Sequence, residues 1–353
     1  MDWDRGSSLG TGTFASVHLA IPRYTSPQFL SPAAVKSAGL LASSSLQNEE
    51  FVLNCLGLCP QIIRCFGHDS TFENGVHYYN LFLEYAAAGS LADQLKIRGG
   101  RLPESDVRRY TRSIVQGLGH IHANGFVHCD IKLPNILLFA NGDVKIADFG
   151  LAKKSGEQQS NERTKYELRG TPVCMSPESV NDSEYESPAD IWALGCAVVE
   201  MLTGKPAWDF KDESNIFSLL MRIGSGEELP EIPNDMSEDG KDFLRRCLVK
   251  DPRKRWTAEK LLEHPFVANE TVSLESVKEP LTSPTSHFDF PDWVSNTTIS
   301  ALNSPESDDW CEWKFESPGL SNTCSPEDRL RELVTAETPN WSESDSWICV
   351  RCE

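Results

Sequence analysis

The chain changes character near residue 268, and this change limits how much of it can form a hydrophobic core. Residues 269–353 contain 17 acidic and 5 basic residues, a net charge of 5 − 17 = −12, together with 14 Ser, 8 Thr and 7 Pro. No apolar periodicity is sustained there, so this segment cannot bury enough apolar surface to offset its conformational entropy. We expect a folded part ahead of this break and a largely disordered, acidic tail over residues 268–353.

Charge and hydropathy exclude several classes of partner. The 353 residues include 33 Lys and Arg against 52 Asp and Glu, a formal net charge of −19, which repels the phosphate backbone of nucleic acids. We therefore expect no nucleic-acid partner. The longest apolar stretch, residues 191–202, is shorter than the about 20 residues that a membrane span needs, so we expect none. Since no secretory signal is present and the cysteines lie scattered in apolar runs, we expect a cytoplasmic or nuclear location, or both.

The part before the break begins with short β-like runs and then becomes helical. Residues 44–56 predict one helix. Pro and acids at the start of residues 103–122 predict a second helix, as does its apolar face. That face has 3.6-residue spacing and consists of Val107, Tyr110, Ile114, Leu118 and Ile121. Ser187, Pro188 and Asp190 predict the N-cap, the first residue and the third residue of another helix. The pattern predicts a β-rich N-terminal part and a helical C-terminal part.

Two patterns near the N-terminus are suited to binding a chain of phosphates. Gly10 and Gly12 belong to a G-x-G-x-x-A-x-V run that ends at Val17, where glycines let backbone N–H groups approach phosphates. Alone, this run is explained as well by a tight hairpin without a ligand. Lys36 ends an apolar strand, and by itself it is an ordinary strand-edge lysine. A lysine that holds phosphates needs a carboxylate to orient it, and Glu49 on the following helix could face it.

Two further patterns bring a proton acceptor and metal ligands close together in the sequence. Asp130, Lys132 and Asn135 lie between apolar runs. At such a loop a carboxylate can accept a hydroxyl proton, an ammonium can neutralise a transferring phosphate and an amide can bind a metal. Asp148 ends a β-like run. Because Mg²⁺ prefers one or two carboxylates together with phosphate oxygens, Asp148 and Asn135 are candidate ligands.

With these four patterns in this order, residues 3–267 resemble a eukaryotic protein kinase. Further downstream, the stretch around Thr171 and Glu178 resembles the end of an activation segment. Arg255 resembles the arginine that pairs with that glutamate, and Asp190 an aspartate that braces the catalytic loop. These additional matches extend the resemblance over about three quarters of the chain.

The resemblance implies an α+β fold with two lobes. A small β-rich N-lobe with one key helix would occupy residues 3–83, a hinge residues 84–89, and a large, mainly helical C-lobe residues 90–267. The implied chemistry is transfer of the γ-phosphoryl group of ATP to a protein hydroxyl. The implied cofactors are ATP and Mg²⁺, with Mn²⁺ as a substitute.

The resemblance also assigns roles to individual residues. The catalytic residues would be Lys36, Glu49, Asp130 and Lys132, with Asn135 and Asp148 as metal ligands. Leu83 would be the gatekeeper at the back of the nucleotide pocket, and Leu53 would stack toward Phe149 and His128. The nucleotide would be bound by Leu9, Gly10, Gly12, Val17, Ala34, Lys36, Glu84, Ala86 and Leu137.

Within this family the chain is similar to plant MAP kinase kinase kinases of the MEKK-like type. The similarity lies in residues 128–138 (HCDIKLPNILL), residues 170–180 (GTPVCMSPESV), a domain that begins almost at Met1 and an acidic tail. Lys132 and Thr171 match the serine/threonine branch. The implied substrate is a MAP kinase kinase, phosphorylated on serine or threonine of its activation loop in a stress or hormone signalling cascade. Two alternatives stay open: an active serine/threonine kinase outside that cascade, and a pseudokinase scaffold.

Cys129 departs from the family pattern. It replaces the arginine that usually precedes the catalytic aspartate and binds a phosphate on the activation loop. We therefore expect activity to depend only weakly on phosphorylation of that loop. Ser176 stands where the family usually has alanine, and we expect this change to be silent.

The tail carries five serine or threonine residues that precede proline, the context that proline-directed kinases favour. We expect them to serve regulation, or the tail to bind an upstream regulator or scaffold, and the sequence does not decide between the two. These residues are Ser283, Ser304, Ser317, Ser325 and Thr338.

Overall fold

The structure is a computed structural model of the chain. The predicted acidic tail lies outside the residues that it describes. None of the helices in the described part combines the length and the apolarity that a membrane crossing requires. The described residues are 3–12, 15–23, 32–157, 168–208 and 216–268.

One antiparallel sheet of five strands forms the N-lobe, in the spatial order β1-β2-β3-β5-β4. Because side chains alternate along a strand, Ala33 and Val35 of β3 are buried on one face, while Ala34 and Lys36 lie on the other. Lys36 therefore faces the side of the sheet on which the next helix lies. The strands are β1 (Trp3–Thr11), β2 (Ser16–Pro22), β3 (Ala33–Gly39), β4 (Cys65–Glu73) and β5 (Val76–Glu84).

Among the described residues of the N-lobe, one long helix, α1, spans Ser44–Leu56, as the sequence predicts. It follows a short 3₁₀ turn at Leu40–Ala42 and packs against β3, β4 and β5. The helix ends at Gly57, whose φ of 65° is readily adopted by glycine. Its buried face consists of Leu46, Glu49, Val52, Leu53 and Leu56.

Seven helices of the described residues belong to the C-lobe. All five predicted apolar residues of the second helix are buried, which confirms that face, although the helix begins one residue later than predicted, after Pro103. Helix α5 is buried on almost every side, so the long apolar run of the sequence is a core helix. The helices are α2 (Leu91–Ile97), α3 (Glu104–Ala123), α4 (Pro177–Asp182), α5 (Ser187–Thr203), α6 (Ile216–Gly224), α7 (Glu238–Cys247) and α8 (Ala258–Leu262).

The N-terminus of helix α5 differs from the predicted one. Its N-cap is Glu186, and Ser187 is already the first helical residue. Pro188 is consequently the second residue and Asp190 lies one position beyond the predicted third. The serine next to proline is a good local cap signal, but contacts with other segments hold Glu186 and Asp190 and so determine where the helix begins.

Two short ribbons hold the loops between the lobes. Strand β6 (Phe126–Val127) pairs with β9 (Lys153–Lys154), and β7 (Ile136–Leu138) pairs with β8 (Val144–Ile146). The loop after β6 leads through a 3₁₀ turn at Leu133–Asn135 into β7, and a second loop leads from β8 to β9. Both candidate catalytic loops therefore begin and end on these ribbons. The two-lobed α+β kinase fold implied by the resemblance is confirmed.

Candidate active site

Lys36 lies between two carboxylates from different parts of the fold. Its Nζ donates to Glu49 Oε2 at 2.8 Å and to Asp148 Oδ1 at 2.7 Å. The Glu49 side chain is fully buried, whereas that of Asp148 is 39% exposed. These contacts join the sheet, helix α1 and the loop after β8 at one ammonium group.

The charges of this cluster are set by competition between burial and ion pairing. Burial acts to lower the pKa of Lys36, but the carboxylates of Asp148 and Glu49 outweigh it and raise that pKa well above its usual value. Burial acts to raise the pKa of Asp148, but the Lys36 ammonium lowers it to about 2. Burial also raises the pKa of Glu49, against the effect of Lys36. Lys36 and Asp148 are therefore charged at neutral pH.

Asp130, in the loop after β6, is held by three side chains, two from this loop and one from the activation segment. Its Oδ1 accepts a hydrogen bond from Thr171 Oγ1 at 2.8 Å, and its Oδ2 accepts one from Asn135 Nδ2 at 3.0 Å. Lys132 Nζ lies 3.1 Å from Oδ2 and donates to Thr171 Oγ1 at 2.9 Å. Because a carboxylate has about four lone-pair sites, Asp130 keeps the capacity to accept a further hydroxyl proton. Thr171, which the sequence analysis placed at the end of the activation segment but not among the catalytic residues, is thus part of the site.

The backbone before Asp130 is held in a strained conformation. Cys129 has a φ of 67°, in the left-handed region, and its N–H donates to Asp190 Oδ1 at 2.9 Å. The N–H of His128 donates to Asp190 Oδ2 at the same distance. Asp190 therefore braces the loop, as the resemblance implies. Gly170 approaches so closely that a Cβ there would lie 2.4 Å from the Cys129 carbonyl oxygen, so this position requires glycine.

The loop that carries Asp148 packs on both lobes. The Phe149 ring is fully buried, with its centroid 4.7 Å from that of His128, and its N–H donates to Glu49 Oε1 at 3.2 Å. Leu53 is also buried, and its predicted stacking toward Phe149 and His128 stays a prediction. His128 Nε2 donates to the Ala147 carbonyl at 3.1 Å, which orients its ring. The position of helix α1 and that of Asp148 are consequently coupled.

Sequence reasoning missed Asn48 on helix α1. Its Nδ2 donates toward three carbonyl oxygens of this loop, those of Phe149 at 3.3 Å, Gly150 at 3.2 Å and Ala152 at 2.9 Å. Because backbone carbonyls carry no signature in the sequence, no local pattern could have identified this contact. Asn48 ties the helix directly to the loop that follows Asp148.

The strand register brings the predicted nucleotide-binding side chains onto one face of the sheet. Val17 pairs with Lys36, and Ala34 pairs with Leu83. Directly paired residues lie on the same face, so all four face the side toward the C-lobe. On the C-lobe, Leu137 lies in β7 and is half-buried, as expected for a residue beneath a bound base.

The predicted phosphate-binding glycines lie where β1 turns into β2. Gly10 is buried and pairs with Val17, and Leu9 before it is half-buried. The N–H of Gly12 donates to the Ala15 carbonyl at 2.8 Å, which closes the turn. The run is therefore a hairpin, and its end lies next to the face that carries Lys36.

In the two predicted hinge residues, Glu84 and Ala86, three polar groups already form bonds within the protein. The Glu84 N–H donates to the Arg64 carbonyl at 2.9 Å, and the Glu84 carboxylate binds Lys145 Nζ at 2.6 Å. The Ala86 carbonyl accepts from the Gly89 N–H at 3.1 Å. Among the described residues, these bonds leave the Ala86 N–H as the donor that an adenine would meet. The Glu84–Lys145 pair was not foreseen from the sequence.

Asn135 and Asp148 suit a hard divalent cation. Both amide hydrogens of Asn135 are directed at Asp130, to its Oδ2 and to its carbonyl oxygen at 2.9 Å, so the amide oxygen is the atom left for a cation. With the ionised Asp148 this makes a small oxygen donor set, which is what Mg²⁺ takes from proteins when phosphates supply the rest. In the described part of the chain no three His, Cys, Asp or Glu side chains cluster as a metal site.

The end of the activation segment is anchored by a buried ion pair. Arg255 binds Glu178 through two bonds, Nη1 to Oε1 at 2.6 Å and Nη2 to Oε2 at 3.1 Å, which confirms the predicted pairing. The same guanidinium donates to the Val249 and Pro188 carbonyls and lies over the Trp192 ring. Helix α4 is thereby fixed to the core of the C-lobe.

Comparison with known proteins agrees with this geometry. Residues 3–267 match the protein kinase domain family. Over 99% of the chain, the sequence is 51% identical to mitogen-activated protein kinase kinase kinase 20 of Arabidopsis thaliana, the whole of which is covered. It is 40% identical to Arabidopsis mitogen-activated protein kinase kinase kinase 17 over 84% of this chain and 78% of the relative.

A third relative extends beyond the kinase domain. Mitogen-activated protein kinase kinase kinase 18 of Arabidopsis thaliana is 38% identical over 99% of both chains. The family match, the full-length relatives and the arrangement of Lys36, Asp130 and Asp148 all point to one class of enzyme. The chain belongs to the protein kinase family, and within it to the serine/threonine kinases of the mitogen-activated protein kinase kinase kinase class.

Proposed function

We propose that this kinase transfers the γ-phosphoryl group of ATP to serine and threonine hydroxyls in the activation loop of MAP kinase kinases. The observation that carries the chemistry is Asp130, whose carboxylate is oriented by Thr171, Lys132 and Asn135. The names of the relatives, each a kinase of MAP kinase kinases, support the substrate.

Each residue of the cluster has a distinct part in this proposal. Lys36, oriented by Glu49, binds the phosphates nearest the ribose, and Asp130 accepts the proton of the attacking hydroxyl. Lys132 neutralises charge on the transferring group. Asn135 and Asp148 would hold Mg²⁺, or Mn²⁺ in its place, and the bound cation would supply positive charge that neutralises the phosphate oxygens. Catalysis then rests on positioning and electrostatics, because the protein forms no covalent bond to the phosphoryl group.

Labelled ATP and a panel of catalytically inactive MAP kinase kinases test the substrate. The wild type should label the activation-loop serine or threonine of one or two members, and Lys36→Met should label none. Labelling of a generic protein but of no panel member would place the enzyme outside the MAP kinase cascade. Failure of the wild type to transfer phosphate, with ATP still bound, would favour a pseudokinase scaffold.

We also propose that the enzyme acts in the cytoplasm, the nucleus or both, and that residues 268–353 recruit a regulator or scaffold. The tail's five Ser/Thr-Pro sites support the alternative role that the sequence leaves open, which is regulation by proline-directed kinases. Incubation with an active MAP kinase, followed by phosphopeptide mapping, should show phosphate on at least one of these sites. If all five stay unmodified, regulation by proline-directed kinases is wrong.

A further inference from the structure

The Glu186 carboxylate accepts hydrogen bonds from three residues at the start of the activation segment. Glu186 accepts hydrogen bonds from Lys153 Nζ at 2.9 Å, from Ser155 Oγ at 2.5 Å and from the N–H of Gly156 at 3.0 and 3.2 Å. The side chains of Lys153 and Glu186 are 11% and 27% exposed, so this ion pair is partly shielded from bulk water. Burial acts to raise the pKa of Glu186, but its hydrogen bonds from Ser155, Lys153 and Gly156 lower it.

The residues that Glu186 holds are themselves bound to the catalytic loop. Lys153 and Lys154 form strand β9, which pairs with β6, and the N–H of Ser155 donates to the Gly125 carbonyl at 2.8 Å. Strand β6 runs directly into the loop of Asp130. Asp190, one helical turn after Glu186, binds the two N–H groups that follow β6. The start of helix α5 therefore holds both strands of this ribbon, each through one carboxylate.

Cys129 cannot take the place of a phosphate-binding arginine. Burial raises the pKa of its thiol, so the side chain is neutral at physiological pH. A cavity beside it, lined also by Arg169 and Tyr185, has a volume of about 20 Å³, which holds roughly one water molecule. Of the two lysines on β9, Lys153 is already paired with Glu186, and Lys154 lies over the Phe51 ring. Lys153 is thus neutralised by a carboxylate of the chain itself.

We propose that the Glu186 carboxylate takes the place of a phosphate on the activation segment. It accepts hydrogen bonds from Lys153, Ser155 and Gly156, as such a phosphate would, so the catalytic loop is held in place before any phosphorylation. Glu186 is a positioning residue, since it acts on Asp130 through the ribbon. A phosphate on Ser155 would face the Glu186 carboxylate and repel it. The proposal rests on the kinase activity and not on which protein is the substrate.

The test uses the dephosphorylated full-length chain and labelled transfer to a generic protein. The variants are Glu186→Gln, Ser155→Asp and the double variant, with Glu184→Gln as a matched control because that glutamate is exposed two residues earlier. Glu186→Gln removes the negative charge at position 186. Ser155→Asp places a second carboxylate next to that of Glu186, and the two repel each other. Each should lower kcat by about tenfold or more, with the KM for ATP within about twofold. The control should keep the wild-type kcat.

The double variant separates this role from simple loss of a contact. In it, the carboxylate at position 155 can bind Lys153 without opposition, so kcat should return to within about threefold of the wild type. A Glu186→Gln enzyme as fast as the wild type would overturn the proposal. So would a double variant no faster than the slower single variant. Because the wild type is measured in the same assay, a wild type without activity would instead contradict the proposed function.

Discussion

Asp190 and Glu200 lie on the same helix, α5, yet the pKa values of their carboxyl groups are shifted in opposite directions. Burial acts to raise the pKa of Asp190, but hydrogen bonds from His122 and the N–H of His128 lower it. Burial alone raises the pKa of Glu200 to about 7. At this scale, the donors around a buried carboxylate decide whether it is ionised at neutral pH.

The raised pKa of Glu200 makes stability depend on pH. Its ordinary pKa is 4.5, so between about pH 4.5 and 7 this carboxyl group is protonated in the folded state and ionised in the unfolded state. The free energy of unfolding therefore falls as the pH rises through this range, and the contribution is lost once the pH passes 7. Glu200→Gln removes this penalty. Relative to the wild type, the variant should gain about 2–3 kcal/mol more in unfolding free energy at pH 8 than at pH 5.

Chemical denaturation at the two pH values measures this difference. Glu184→Gln, which removes a charge from an exposed side chain, should change stability little at either pH. An equal effect of Glu200→Gln at pH 5 and pH 8 would show that Glu200 is not protonated in the folded protein near neutral pH.

At the scale of elements, Asn48 couples helix α1 to the loop after Asp148. Asn48→Asp replaces a donor by an acceptor that faces three carbonyl oxygens, so the helix should be displaced from the loop. We expect kcat to fall by about tenfold, on the basis of about 1–2 kcal/mol of lost hydrogen bonding. Steady-state transfer to a generic protein measures it.

Asn54→Asp is the matched control for that variant. Asn54 is exposed on the same helix, and the substitution is the same and adds the same charge. It should leave kcat unchanged. If both variants lose activity equally, the added charge and not the contact with the loop is responsible.

Helix α4 depends on the Glu178–Arg255 pair. Arg255→Met leaves the Glu178 carboxylate buried without its partner, and this should lower the unfolding free energy by about 3–5 kcal/mol. Arg253→Met removes an exposed arginine from the same stretch and should change stability by less than about 1 kcal/mol. Denaturant midpoints of both variants test the difference, and equal midpoints would contradict a structural role of the buried pair.

At the scale of the whole molecule, the features that could be predicted from the sequence are those that depend on local residue patterns and on the order of the motifs that the family shares. Lys36 and Glu49 were predicted to meet because one lies on a strand and the other on the next helix. Lys36 lies in the middle of β3, however, and not at the strand end that the sequence suggested. The roles of Asn48 and Glu186 were not predicted, since their partners are backbone atoms and side chains distant in the chain. The cap at Ser187 was wrong for the same reason: tertiary contacts outweighed a good local signal.

The central claim is that the chain is an active phosphotransferase in which Asp130 accepts the proton of the attacking hydroxyl. The most direct measurement compares wild type and Asp130→Asn in ATP binding and in transfer of labelled phosphate to a generic protein with Mg²⁺. We predict unchanged ATP affinity and a kcat lower by about 10²–10⁴-fold, because the amide cannot accept the hydroxyl proton. An Asp130→Asn enzyme as fast as the wild type would contradict this account.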